Sequence, residues 1–307
     1  MNPTSALAGV SRRQKCQVAL ITVGAITLFV AVRQLPTGTN LAHIDFQSPG
    51  GSSLQFCDPA NPAFMPVVAV KSPVTMTVAT DVAPALGRQV RVALVLRTAS
   101  GKPIGPQDLL VTHTKLLHLM VVDPGMRDYQ HIHPVPGREP GEWTMEFAPR
   151  RAGRYRMFAD FTPSATGRSL YAMAELEVPG QPSPPPAENN RSFEADGWRF
   201  TLESDAPLRA RAVVNLALTV EAVGASRALR LEPVMGAFAH LVAFDAARSG
   251  FAHLHPKQSD LTGQLDQFRP RLTFQMQFPE AGRYVIWSQV KLDGRERFAP
   301  FWVEVVP

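Results

Sequence analysis

Helical periodicity is almost missing from this sequence. Beyond one N-terminal apolar run, no window of about a dozen residues repeats apolar side chains at the helical spacing, which argues against a helical bundle or an alternating α/β fold. Cysteine is scarce as well: Cys16 and Cys57 are the only two in 307 residues, so no disulfide framework holds the chain together. Lys and Arg exceed Asp and Glu, giving a net charge of +5 and a pI near 9.5. There is still no basic run and no interleaved aromatic platform, which argues against a nucleic-acid partner. Phosphate-cradling loops, dinucleotide fingerprints and nucleophile elbows are also missing, so an enzyme is not expected. Proline, by contrast, is abundant at 28 residues, as suits short strands and many turns.

Arg12, Arg13 and Lys15 precede an uncharged apolar run from Val18 to Val32, closed by Arg33. A run of that length lies between a long signal-peptide core and a short membrane anchor. The following RQLPTGTNLA offers no small-x-small cleavage pattern. An uncleaved single-pass anchor in the inner membrane is therefore expected, with its basic end in the cytoplasm and the C-terminal domains in the periplasm. Secretion after signal cleavage is the alternative. In either case Cys57 is an odd thiol in an oxidising compartment, or simply a small apolar residue in a Pro-rich arm.

Composition divides the remainder. Residues 1–35 form the cytoplasmic tip and anchor, 36–72 an irregular Pro/Gly-rich stalk, and 180–190 a stiff Pro-rich linker. The linker separates two blocks, 73–179 and 191–307, that align with each other. KLLHLMVVDPGMRDYQHIHP (Lys115 to Pro134) lies over AFAHLVAFDAARSGFAHLHP (Ala237 to Pro256) without a gap. RAGRYRMFADF lies over EAGRYVIWSQV after a seven-residue insertion in the second copy. Each block reads as short alternating or apolar runs separated by Gly/Pro/Asp turns, the pattern of an Ig-like antiparallel sandwich. The expected fold is all-β: two tandem Ig-like β-sandwiches after one transmembrane helix and a stalk.

Seven of the eight histidines fall in the repeated segment or beside it: His113, His118, His131 and His133, then His240, His253 and His255. The intervals from His118 or His240 to its His-x-His pair are 13 and 15 residues in both copies. In the first copy, a type II′ turn centred on Gly125 and Met126 opposes His118 to His133 and Met120 to His131. All four side chains then share one face. The same register in the second copy opposes His240 to His255 and Val242 to His253. Its turn, DAARSG, lacks the type II′ signal, and an odd loop would send His240 to the other face.

Three imidazoles on one face can converge on a metal at about 2.0–2.1 Å, a geometry that zinc accepts and copper also suits. Met120 and Met126 bias the first site toward Cu(I), His113 offers a fourth nitrogen, and Met235 offers a thioether to the second site. Export, histidine and methionine together make copper the first expectation and zinc the second. The competing reading is structural: buried histidines bonded to backbone, with His-Pro as an ordinary strand end, and methionines as gap-fillers.

HLMVV with YQHIHP and GRYRMFADF, and PVMGAFAHLVAF with FAHLHP, resemble bacterial exported proteins with YtkA-like or similar Ig-type β-sandwich domains. That group is largely uncharacterised and often linked to heavy-metal or copper handling. The resemblance spans roughly residues 74–180 and 191–307. It implies the sandwich fold, export, and a role for His118, His131, His133, His240, His253 and His255; Val242 in place of Met120 sets the second copy apart.

The function expected is a membrane-anchored periplasmic metal-binding protein that delivers or buffers copper, with one site per repeat. The alternative is a non-catalytic Ig-like accessory module docking on a membrane complex such as an oxidase or transporter, with structural histidines. A third reading is a zinc-dependent hydrolase, for which Asp123, Asp128 and Asp160 are the available carboxylates in the first repeat. Gln289 takes the place of Asp160 in the second.

Overall fold

A computed structural model describes residues 11–33, 41–47, 63–224 and 227–307. Helix α1 (Arg12–Arg33) has 22 residues, a mean hydropathy of 1.9 in its most apolar window, and no buried side chain. It is long and apolar enough to cross a membrane or to act as a signal sequence. Cys16 is exposed on this helix, whereas Cys57 lies outside the described residues.

The two domains are built from antiparallel strands in four sheets, two per domain. The first domain contains β1 (Val74–Thr80), β2 (Val90–Thr98), β3 (Leu109–Leu110), β4 (His118–Val122) and β5 (Tyr129–Ile132). It continues with β6 (Val135–Pro136), β7 (Glu142–Phe147), β8 (Gly153–Pro163) and β9 (Leu170–Val178). One sheet runs β1-β2-β7-β6; the other runs β3-β8-β4-β5, with β9 also on β8. The second domain contains β10 (Ser192–Ala195), β11 (Trp198–Ser204), β12 (Val213–Ala222), β13 (Leu231–Glu232) and β14 (Ala239–Asp245). It ends with β15 (Ala252–Leu254), β16 (Arg271–Gln277), β17 (Gly282–Leu292) and β18 (Arg295–Val305). Its sheets run β10-β11-β12-β16 and β13-β17-β14-β15, with β18 on β17.

Burial follows from which faces meet. Strand β2 alternates buried Val90, Val92, Leu94 and Leu96 with exposed Arg91 and Arg97, as a sheet with one wet face requires. Strand β4 is buried at every position. Leu119 and Val121 enter the core of their own sandwich, whereas Met120 and Val122 enter a cluster shared with the second domain. Strand β14 divides in the same way, with Leu241 and Ala243 inward and Val242 and Phe244 in the shared cluster.

That cluster holds 13 buried apolar residues, among them Tyr129, Phe158, Phe251 and Trp287. At about 1.5–3 kcal/mol for each large side chain removed from water, it holds the sandwiches face to face. The Pro-rich linker is tied down as well. Arg127 Nε donates to the Pro184 carbonyl at 3.1 Å and Arg283 Nη2 to the Glu188 carbonyl at 2.7 Å.

The described stalk residues also dock on the domains. Phe46, in the short 3₁₀ turn His43–Phe46, is buried in the first core. Met65 exchanges both backbone hydrogen bonds with Phe251, at 2.7 and 3.1 Å, and Val68 N–H donates to the Ser249 carbonyl at 2.8 Å. The stalk therefore straps the second domain, although the first domain follows it in sequence. Gly250 allows the close approach, because a Cβ there would overlap the Met65 carbonyl.

Candidate metal centre

The two histidine hairpins keep the expected register. Met120 pairs with His131 on β4 and β5, and Val242 pairs with His253 on β14 and β15. The first turn is not type II′, however. Gly125 does not adopt a left-handed conformation, and Met126 does, at φ +52°. The Asp123 carboxylate causes this by accepting the backbone N–H groups of Gly125, Arg127 and Asp128 at 2.9, 2.6 and 2.8 Å. Arg248 takes the corresponding left-handed position at φ +50°, and the Asp245 carboxylate accepts Ser249 N–H at 2.6 Å. Both loops are even, so the second triad stays on one face.

His118, His131 and His133 each present one ring nitrogen, and the three lie within 4.8 Å of one another; so do those of His240, His253 and His255. Either triad can hold a metal ion. His118 and His240 are fixed by the backbone: their Nε2–H groups donate to the carbonyls of Thr112 at 3.0 Å and Val234 at 2.9 Å. In the neutral ring this leaves the Nδ1 lone pair free. It faces Nε2 of His131 at 3.3 Å in the first triad and Nε2 of His253 at 3.1 Å in the second. The Nε2 atoms of His133 and His255 are buried with no hydrogen-bond partner.

The middle histidine of each triad is held by the other domain. His131 Nδ1 lies 2.8 Å from Gln289 Oε1, and the Gln289 amide donates to Glu296 Oε2 at 2.8 Å. The Glu296 carboxylate can only accept, so the Gln289 amide nitrogen faces it and the carbonyl oxygen faces His131. His131 must then carry its proton on Nδ1. His253 Nδ1 faces Asp160 Oδ2 at 3.5 Å, which sets the same tautomer. Asp160 and Gln289 occupy matching positions on β8 and β17, so the reciprocal contacts describe an approximate twofold between the repeats. The triads are contiguous across it, with the His131 and His253 ring centres 5.2 Å apart.

Burial governs the charge of the cluster. It pushes His131 and His253 well below the ordinary imidazole range, with neighbouring rings adding to the effect. It takes His133 and His240 down to about 3. Desolvation also lowers His113, His118 and His255. The same desolvation raises Asp160 to about 6, against the pull of His118 and His113. The rings are therefore neutral and available as ligands at neutral pH.

The other expected ligands are dispersed. His113, in a tight turn at φ +48°, packs against His255 of the second triad with ring centres 3.9 Å apart; it lies 6.1 Å from His118. Met120 and Met126 are fully buried in the interdomain apolar cluster. Met235 matches His113 in a turn of the same form, at φ +52°. Gln289 and Glu296 were not singled out as site residues. Only the alignment of Gln289 with Asp160 carried a trace of their role.

A family model described as a domain of unknown function, DUF8832, matches the sequence twice, over residues 70–179 and 193–307. No curated protein matches the chain. Each matched segment contains one complete triad. The protein belongs to the DUF8832 family and carries two copies of its domain.

Proposed function

We propose that this protein is a membrane-anchored metal-handling protein that buffers or delivers copper at the periplasmic face of the inner membrane, with one ion per triad and zinc as the second metal the sites suit. One observation carries the reading. Each triad sets two imidazole lone pairs against each other, at 3.3 and 3.1 Å, with the opposite nitrogen of those two rings committed as a donor. Two lone pairs at that distance repel unless a proton or a cation lies between them. A proton bonds to one of these nitrogens and leaves a charged ring, whereas a metal cation bonds to all three nitrogens of a triad, which offsets its desolvation. The spacing is also close to the edge of a tetrahedron with metal–nitrogen bonds of about 2.0–2.1 Å. Ring N–H groups donating outward to carbonyl, amide and carboxylate oxygens form the supporting shell that metal-bound histidines use.

Copper is favoured by the imidazole donor set and by the resemblance to exported, YtkA-like copper-linked sandwiches. The apolar helix supports anchoring, and a membrane complex or transporter is the natural recipient of the ion. The role is binding rather than catalysis. Asp123 is occupied by three backbone amides, Asp128 accepts from Tyr155 Oη at 2.6 Å and Arg150 N at 2.7 Å, and Asp160 is engaged behind the ring of His253 at 3.5 Å. The test is titration of the full chain in detergent with Cu(I), Cu(II) and Zn(II), beside a His131→Ala/His133→Ala/His253→Ala/His255→Ala variant. Two ions in the parent and none in the variant are expected. A folded parent that binds nothing would make the histidines interdomain structure and return the protein to the accessory-module reading.

A further inference from the structure

Two of the positions at which the twofold between the triads is broken bear on the ligand sets. The first is the pair of tight turns beside the triads. Thr112 and Lys115 close the turn at His113–Thr114 by mutual backbone hydrogen bonds, and Val234 and Ala237 close the turn at Met235–Gly236 in the same way. All four central residues have positive φ, and the turns meet where a Cβ on Gly236 would lie 4.0 Å from Thr114 Cγ2. His113 reaches across to the second triad and rests on His255. By the same twofold Met235, in the matching turn, is the residue that corresponds to His113 for the first triad. The second broken position lies behind the middle histidines. Asp160 backs His253, whereas the neutral amide of Gln289 backs His131 and sets the Glu296 carboxylate one residue farther away.

We propose that the two triads form unequal sites. The second takes a divalent ion such as Zn(II), with His113 as a fourth imidazole supplied by the first domain and Asp160 behind His253. The first takes Cu(I), with the Met235 thioether in the corresponding place. The inference rests on the metal-binding reading above and refines it. The chemistry of the sets carries it. Four nitrogens backed by a carboxylate match a divalent, borderline ion, and a carboxylate on the outer N–H increases the basicity of the ligand. Three nitrogens with a thioether, the middle ring backed by the neutral amide of Gln289, favour the softer, monovalent ion. His113 stands at a cleft of about 370 Å³ that it lines with His255, Gly236, Lys257 and Gln275. From there its ring can swing onto an ion arriving from solvent.

The experiment holds the full chain, in detergent and without oxygen, with one equivalent each of Cu(I) and Zn(II), and counts both metals. His113→Met, Asp160→Asn and Met235→His variants are run beside the parent. Methionine at position 113 suits the backbone, because Met235 already adopts that conformation. The parent is expected to hold one ion of each kind. His113→Met weakens Zn(II) by about 10–100-fold while Cu(I) is unchanged, Asp160→Asn weakens Zn(II) by about 10–100-fold and Cu(I) by less, and Met235→His moves the first site toward Zn(II). A parent that fills both triads with the same ion overturns the inference. So does an unchanged Zn(II) affinity in both His113→Met and Asp160→Asn. Those results leave metal binding intact, whereas a folded parent that takes up neither ion removes the underlying reading and the inequality with it.

Discussion

Replacing Gln289 by leucine isolates the interdomain bond that sets the His131 tautomer. In the native chain the buried His131 ring donates from Nδ1–H to Gln289 Oε1 at 2.8 Å. Removing the acceptor costs about 1–3 kcal/mol, or roughly 2–12 °C in Tm for a unit of this size. Part of that loss is recovered, because the proton can move to Nε2 and donate to His118 Nδ1, 3.3 Å away. A metal must then break this new bond, so affinity at the first triad falls by about 10–100-fold.

The assay is thermal unfolding in a His255→Ala background, where only the first triad reports, at free Zn(II) near 100 times the parent Kd. The parent gains about 2.7 kcal/mol from the ion, and the Gln289→Leu variant gains about 0.4–1.4 kcal/mol. Equal metal-induced shifts in the two proteins would refute the tautomer reasoning.

Acid should unfold the metal-free protein. His133 and His240 fall to about 3 in the folded state against about 6.5 unfolded, so below pH 6.5 only the unfolded chain takes up their protons. Each then removes about 1.4 kcal/mol per pH unit, while Asp160, raised to about 6, offsets roughly one histidine between pH 6 and 4. Melting curves at pH 7.5, 6 and 5 should show a steep fall, and a flat profile would contradict buried neutral rings. Gly250→Ala drives a Cβ into the Met65 carbonyl and should cost about 1–3 kcal/mol. Hydrogen exchange should then speed up at the Met65 and Phe251 amides; unchanged protection would show that the strap is not held by this contact. Phe244→Ala empties the interdomain cluster at a fully buried position, costing about 3–5 kcal/mol. Small-angle scattering should show the domains separating, and an unchanged profile would place the interface strength elsewhere.

The repeat, the β content and the register of both histidine hairpins were legible in sequence because each rests on local pattern. Strand β4 also announces its burial: LMVV, after His118, is a continuous apolar run, as suits a strand covered on both faces. What covered the second face could not be read locally, because Met120 and Val122 meet Val242, Phe244 and Phe251 from the distant repeat. The same non-locality hid the linkage of the two triads and sent His113 to His255, away from the triad of its own repeat. The turn at Gly125 departs from type II′ because an Asp123 carboxylate bonded to three amides outweighs the preference of glycine for positive φ. The stalk looked irregular because its pairing partner, Phe251, lies far along the chain.

Zinc-edge X-ray absorption of the full chain, loaded with Zn(II) and dialysed, tests the central claim most directly. The result expected is a first shell of imidazole nitrogens at about 2.0–2.1 Å, with the outer-ring scattering that marks histidine, and its loss in the four-histidine variant. A shell dominated by oxygen, or a folded chain that emerges from dialysis without metal, would contradict it.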